Sequence, residues 1–516
     1  MSFIFRFLLL IRKNWPLLAS LTLFAFLLTS WIYRLEELPG LHADEAWFGL
    51  EATIPLNQST SKLTGMTYYT GILQVLVSKI QFSLGGISVF NLRLSGVIFN
   101  FFGVVVVWAL LYTRRLAVQA VIFLLIISQS ALFLTSPRVA WEVNTFTLLF
   151  SSLLLLFIIK FVEKHSTPRL LIFLILLISI LGSYNHIIYS AVPLALMLSC
   201  GFYFSFTRKT IYFKLLIILA VALGNIGLQL LYFKFGQSFW SPHPLVYTIL
   251  IIFVLLVQAQ VIYLLKIPTS FLLAFKPNKR IIFYIYLIAL IPFFIFHGKA
   301  FFEILTGYKI YMQYYSLESE QWMRLLSCAL SIMLIVYLVF QLRNQISNEN
   351  TQLFTLFLLS FMVVFSFYTT TNSYRYYLQL YLIISLYIAV IVPAVKNLNW
   401  TKVFISSLVI SLGGSIYTQL KVFDSDRHDK AMYFNIGNNQ SETSAHFLTK
   451  KPLINFLKRH QVDSLILLNI EPYFLNTPID FYKQASPWST DPRNKAVIMF
   501  QTTDSSKDGI LYFIAK

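Results

Sequence analysis

The sequence predicts an all-α polytopic membrane protein with a small α/β unit at its C-terminal end, and three observations carry that expectation. Of the 516 residues, 57% are hydrophobic and only 12% charged, with Phe alone numbering 49, a balance well outside that of soluble globular chains. The apolar residues fall in successive runs close to the about 20 residues that a helix needs to cross a bilayer. After Val422 the composition changes: ten of the 21 Asp and Glu residues lie there. The formal charge of +19 sits mainly in short loops between apolar runs. Basic residues in that position set orientation and meet anionic headgroups, so the lipid bilayer, and not nucleic acid, is the implied partner. Cys200 and Cys328 both lie in apolar runs and form neither a disulfide framework nor a metal pattern.

The first run, 15–33, follows Arg6, Arg12 and Lys13. The excess of basic residues before it places the N-terminus in the cytoplasm. No small-residue cleavage site follows, so the run reads as a retained span. The next stretch, 68–84, decides the topology. Gly71, Gln74, Ser78 and Gln81 recur every three or four residues, with Leu73, Leu76, Val77, Ile80 and Leu84 on other faces. Such an amphipathic helix can lie in the membrane interface. If it crossed, Arg114, Arg115, Arg208, Lys209, Lys276, Lys279 and Arg280 would all face outwards; lying flat, it keeps them inside with Arg343, Lys396 and Lys402. On that choice further spans are expected at 93–112, 118–135, 144–162, 169–183, 187–206, 211–233, 245–265, 281–297, 323–341, 353–370, 376–394 and 403–421. With the first, that makes about 13. The odd count delivers the tail to the far side, giving a membrane domain at 1–422 with a large first far-side loop at 34–92, and a small extramembrane α/β domain at 423–516. In the tail a helix is expected at 451–461 and strands at 464–468, 496–501 and 510–514. It carries no Gly-rich phosphate loop and no nucleophile elbow, and the chain shows no internal repeat.

The polar residues that stand out gather in the far-side loops. Asp44 is the sole aspartate before Asp424, and with Glu45 it directly follows the first span. An acid pair at the start of a short helix suits the helix dipole. Carboxylates are also so scarce beside this much hydrocarbon that a general base or acceptor-orienting group is the favoured reading. Ser136-Pro137-Arg138-Val139-Ala140-Trp141-Glu142-Val143-Asn144 packs a cation, an acid and an amide into one loop on the same face. It reads equally as an interfacial turn with a Trp anchor. Thr371-Asn372-Ser373-Tyr374-Arg375-Tyr376-Tyr377 opens a span with an Arg among tyrosines. A planar guanidinium suits a phosphate, although an Arg snorkelling from an aromatic belt has the same appearance. His186 and His243 lack metal-ligand spacing and read as hydrogen-bonders.

The first span, the Asp44-Glu45 pair, the interfacial stretch and the run Phe90-Asn91-Leu92-Arg93-Leu94-Ser95 together resemble the GT-C glycosyltransferases. The resemblance is to the bacterial branch with protein O-mannosyltransferase-like membrane domains, which includes the aminoarabinose transferases acting on lipid A. The Pro137–Glu142 loop resembles that family's second acidic loop, with Glu142 at its carboxylate, and Arg375-Tyr376-Tyr377 resembles the Arg-Tyr that opens a late span. Where many relatives carry Pro-Pro or Lys-Pro, this chain reads Met66-Thr67-Tyr68-Tyr69-Thr70-Gly71, so no lysine is carried over there. The resemblance implies an inverting sugar transfer on the periplasmic face of the bacterial inner membrane. The donor would be a polyprenyl-phosphate-sugar and the acceptor lipid A, another glycan or a protein. It implies catalytic carboxylates at Asp44, Glu45 and Glu142, donor-phosphate cations at Arg375, Arg138, Arg93 and Lys299, and substrate contacts at Tyr376, His186 and His243. Some members use a divalent metal ion and others none; the single Asp-Glu pair assigns no metal ligands. The competing function is a flippase or transporter of lipid-linked sugars. Transporters place charges midway along their spans and repeat their halves, features this sequence lacks. An O-antigen polymerase or ligase would carry its large polar loop late in the chain, whereas here the acid pair comes first.

Overall fold

The computed structural model describes residues 3–54, 64–164, 168–239, 279–315, 349–368, 373–391, 398–424, 447–448, 462–467, 473–485, 491–500 and 510–515, with 325, 329 and 458 as isolated positions. Its first half is a succession of helices: α1 (Phe3–Ile32), α2 (Ala43–Thr53), α3 (Leu73–Gly85), α4 (Val89–Thr113), α5 (Ala117–Gln129), α6 (Ala131–Thr135), α7 (Glu142–Glu163), α8 (Arg169–Asn185), α9 (Ala191–Thr207) and α10 (Thr210–Phe239). Then come α11 (Lys279–Ala289), α12 (Ile291–Thr306), α13 (Tyr308–Tyr315), α14 (Glu349–Phe365), α15 (Leu378–Ile391) and α16 (Leu398–Val422). Among the described residues six helices are long and apolar enough to cross a membrane, or seven if the bent pair formed by α5 and Ala131–Arg138 counts as one. The protein is therefore a multi-pass membrane protein. Its outer surface agrees: Phe102, Leu231 and Ile410 stand exposed, as side chains facing lipid would. The inner helix is α15, of which every residue but Val390 is buried; a helix apolar all round belongs in the middle of a bundle.

Several expected spans differ in form. The run at 118–135 is broken, its two halves bent by 73° where Ser130 takes an extended conformation. The run at 281–297 is two helices meeting at Leu290, with Pro292 in the first turn of the second, the place where a missing N–H costs nothing. The expected spans at 245–265 and 323–341, and the expected helix at 451–461 apart from position 458, lie outside the described residues.

Helix α3 exists as expected, but its polar stripe faces inwards. Gln74 and Ser78 are fully buried, and the Gln74 amide donates to Ser78 Oγ at 3.0 Å and to Ser95 Oγ of α4 at 3.3 Å. Ile80 and Leu84 point outwards, Leu84 with 84% of its surface exposed. The sequence pattern fixes two faces but not the medium beyond the apolar one. Where that medium is lipid, a helix is stable with its polar side on the protein.

Beyond α16 the described strands β3 (Val462–Leu467), β4 (Asp491–Phe500) and β5 (Ile510–Ala515) form a sheet of order β3-β4-β5. The first pair is parallel, crossing over through α17 (Tyr473–Ala485), and the second antiparallel. The three strands overlap the apolar runs expected at 464–468, 496–501 and 510–514, β4 starting earlier, at Asp491; α17 was not expected. This unit is docked on the first loop. β1 (Leu41–His42) pairs antiparallel with β2 (Phe447–Leu448). α17 packs on α2 so closely that any side chain at Gly49 would run into the Phe481 ring.

Candidate active site

Helix α2 starts at Ala43 with His42 as its N-cap: His42 is extended and its Nδ1 accepts the Asp44 N–H at 3.0 Å. Asp44 and Glu45 both lie in the first turn, where carboxylates offset the helix dipole. Neighbours on a helix project about 100° apart, and the two acids accordingly part company. Asp44 stays partly open to the surroundings, with 20% of its side chain exposed, while Glu45 turns into the protein and is fully buried.

Glu45 meets Arg93 of α4. Arg93 Nε donates to Glu45 Oε1 at 2.7 Å and Nη2 to Oε2 at 2.8 Å. The remaining Arg93 N–H groups donate to the carbonyls of Leu35 at 2.9 Å, Pro39 at 2.8 Å and Gly40 at 2.9 Å. A guanidinium has five N–H groups, and here all five are engaged. Glu45 Oε1 also accepts the Ala140 N–H at 2.9 Å. Expected respectively as a phosphate cation and a catalytic acid, Arg93 and Glu45 instead clamp the 35–40 turn, α2, α4 and the loop before α7 to one another. Arg93 has no N–H left to offer a substrate, and Glu45, fully buried, presents no face to one.

Arg138 is likewise turned inwards. It sits at the C-terminal end of α1, donating to the carbonyls of Ser30, of Tyr33 at 2.9 Å, of Arg34 at 3.3 Å and of Leu38 at 2.8 Å, with its guanidinium 5.3 Å from the centre of the Phe423 ring. A buried cation there satisfies carbonyls that the helix leaves unpaired and meets the negative end of its dipole. The phosphate role expected for it is not compatible with full burial. Gly96 on α4 permits the approach, since a Cβ there would strike the Pro137 carbonyl.

Arg375 differs. It lies in the 3-10 turn Tyr374–Tyr377 that leads into α15, and reaches Asp44 across 331 positions of sequence: Nη1 to Oδ2 is 3.3 Å. Its Nη2 donates to Tyr376 Oη at 3.2 Å, and its guanidinium lies 4.3 Å from the Trp141 ring centre, a stacked cation–π arrangement. Its Nε donates to no acceptor among the described residues, and 16% of its side chain is exposed. Tyr374 Oη donates to Glu303 of α12 at 2.8 Å, holding the turn from the other side.

Glu142, the first residue of α7, brings a second carboxylate within electrostatic reach of Arg375 and Asp44, and its backbone carbonyl accepts from Asn185 at 2.8 Å. His186 approaches Glu142 at 3.9 Å. Burial, with Arg375 nearby, pushes the His186 imidazole down to about 3, so the contact is between a neutral ring and an acid. Its Nδ1 accepts the Ile188 N–H at 3.1 Å, and its ring lies 5.2 Å from Tyr376 and 5.6 Å from Tyr69. The 64–71 strip is laid beside it: Gly71 N–H donates to the Asn185 carbonyl at 3.0 Å and Ile187 N–H to that of Tyr69 at 3.1 Å.

The structure thus brings together Asp44, Glu142, Arg375, Tyr376 and His186. Lys299 stands exposed on α12 and enters none of these hydrogen bonds or ion pairs; His243 lies outside the described residues. Among the described residues no three His, Cys, Asp or Glu side chains come together as a metal-binding group. The sequence reading missed His42, whose only sequence signal is its place two before Asp44. It also missed the aromatic wall of α13, whose Tyr311, Tyr314 and Tyr315 recur at helical spacing and are buried. Tyr314 lies 6.1 Å from Trp141, ring centre to ring centre, and burial pushes the Tyr314 and Tyr315 hydroxyls upwards, so both stay protonated. Tyr482 of α17, also buried, reaches the Leu41 backbone beside the Glu45–Arg93 pair.

No protein-family model matches the chain, and no curated protein sequence matches it. Among solved structures it is similar to ArnT from Cupriavidus metallidurans in the apo state, at 10% identity and a TM-score of 0.51, over 95% of this chain and 93% of that one. The same enzyme bound to undecaprenyl phosphate matches at 10% identity and a TM-score of 0.49, with the same coverage. At that identity the apo likeness speaks for architecture alone: the chain is a multi-pass, mostly helical membrane protein with an ArnT-like fold.

Proposed function

We propose that this protein is a membrane glycosyltransferase that moves a sugar from a polyprenyl-phosphate-sugar donor to a lipid, glycan or protein acceptor. We place the transfer on the periplasmic face of the inner membrane, with inversion at the transferred carbon. The observation that carries this reading is the meeting of Asp44 with Arg375 at 3.3 Å, both partly exposed, a carboxylate and a cation from distant parts of the chain. The ArnT structure of similar fold that holds undecaprenyl phosphate suits a lipid-phosphate donor. In the reaction the acceptor hydroxyl or amine attacks the sugar carbon bonded to phosphate. Its proton passes to Asp44, the new bond forms from the attacking atom, and the carbon–oxygen bond to phosphate breaks with its electron pair leaving on polyprenyl phosphate. The leaving phosphate gains negative charge as the bond breaks, and Arg375 stabilises that charge at the moment it develops. Glu142 supports Asp44 in holding the acceptor, and Tyr376 and His186 line the pocket.

Arg375 tests the donor side. Charge-assisted hydrogen bonds contribute about 1.5–3 kcal/mol, so Arg375→Ala is expected to use donor more than about tenfold less well. Arg375→Lys should recover only part, since it keeps the charge but not the planar fork. Transfer from a defined polyprenyl-phosphate-sugar in nanodiscs reads this directly, and wild-type turnover by Arg375→Ala would remove Arg375 from the account.

The orientation rests on the basic residues of the short loops and on α3 lying flat. A reporter active only in the periplasm should be active when fused after Lys516 and silent when fused at Arg115. The reverse pattern would invert the topology and put the pocket on the cytoplasmic side.

A further inference from the structure

Two Arg–carboxylate pairs lie side by side in this fold, and they are built differently. Arg93–Glu45 is bidentate at 2.7 and 2.8 Å, fully buried, with every N–H engaged. Arg375–Asp44 has a single contact at 3.3 Å, longer than the 2.7–2.9 Å usual for a charge-assisted bond. Both of its side chains are partly exposed, and the Arg375 Nε has no acceptor among the described residues. The first pair is a clamp. The second is loose, with three guanidinium N–H groups unspent, while the Trp141 ring and Tyr376 Oη hold the guanidinium in place whether or not Asp44 does.

From this contrast we infer that Arg375 masks Asp44 until a lipid phosphate arrives. The phosphate takes over Arg375, releases Asp44 Oδ2 and only then opens the carboxylate to the acceptor, so that donor must bind before acceptor. This rests on the function proposed above and adds an order of binding to it. A phosphate offers Arg375 two oxygens in the plane of its fork, where Asp44 offers one. In the absence of donor the base is paired, which keeps it from ordering an acceptor or a water in an unproductive site.

Masking has a thermodynamic consequence, because Asp44 and the phosphate compete for one cation. Removing the Asp44 charge must therefore tighten phosphate binding, although the same change is expected to lower transfer by orders of magnitude. The test is binding of undecaprenyl phosphate to the full chain in nanodiscs, with undecaprenol as the phosphate-free control, for wild type, Asp44→Asn, Arg375→Ala and the double variant. A loose, partly exposed ion pair contributes up to about 1 kcal/mol, roughly fivefold, so Asp44→Asn should bind undecaprenyl phosphate about two- to fivefold tighter than wild type, with undecaprenol unchanged. In the Arg375→Ala background the same substitution should tighten nothing. Equal tightening in both backgrounds would show plain charge repulsion and overturn masking, as would Asp44→Asn binding no tighter than wild type. If Arg375→Ala itself binds undecaprenyl phosphate as wild type does, it is the phosphate site of the proposed function that fails, and the two failures are thereby separated.

Discussion

Asp44→Asn is expected to lower sugar transfer by about 10²–10⁴-fold, the contribution typical of a positioned general base, while leaving the fold intact. The substitution keeps the size and much of the hydrogen-bonding capacity of the side chain but removes the charge and the basicity. Little of the structure leans on this carboxylate. The bond at the start of α2 is made by the Asp44 backbone N–H to His42, which the substitution preserves, and the side chain lies at an opening with one contact at 3.3 Å. Transfer from a defined polyprenyl-phosphate-sugar and the melting temperature, measured on the same preparation, check both halves. Near-wild-type transfer would leave Asp44 as no more than a helix-start acid. Lost transfer with a collapsed melting temperature would contradict the claim that the side chain is dispensable to the fold.

Glu45, one residue on, is expected to behave in the opposite way. Glu45→Ala leaves the Arg93 charge buried without its counter-ion and the Ala140 N–H without its acceptor. Breaking a buried pair from one side typically costs about 3–5 kcal/mol, a large fraction of the stability of most folds, so the variant should melt far below wild type or fail to accumulate. Arg93→Met should do the same from the other side, since it also strips the Leu35, Pro39 and Gly40 carbonyls of their donor. The double variant Glu45→Leu/Arg93→Met removes both charges and should recover part of the loss, but not all of it, because those carbonyls and the Ala140 N–H stay unpaired. Melting temperatures of the three variants decide this. A Glu45→Ala protein as stable as wild type, but inactive, would return Glu45 to the catalytic machinery.

That adjacent acids have such different fates could not be read from their sequence. The solitary Asp44 after the first apolar run was legible as a group needing a reason, and so was the Arg375 turn at the start of a late span. What brings them together is the packing of the 374–377 turn against Trp141 and α2, a contact over 331 positions that no local pattern encodes. Arg93 and Arg138 were misread for a related reason. A lone Arg at a membrane edge looks the same whether it faces a ligand or caps backbone carbonyls, and the full burial of Arg93 and Arg138 against those carbonyls, set beside the partly exposed Arg375, is what tells the two apart. The inward polar stripe of α3 shows another limit, because periodicity gives two faces without saying which one meets lipid. The sheet strands of the tail were visible as short apolar runs, but their docking on the first loop was not. It depends on two-residue strands at Leu41–His42 and Phe447–Leu448 and on Gly49 making room for Phe481, signals too short to stand out.

The most direct measurement is mass spectrometry of envelope lipids and glycans from a strain lacking this protein, complemented either with the wild type or with Asp44→Asn. A hexose-, pentose- or aminosugar-sized unit is expected to disappear in the deletion strain, return with the wild type, and stay absent with Asp44→Asn expressed at the same level. Identical lipid and glycan masses in all strains, or full restoration by Asp44→Asn, would contradict the proposed transfer.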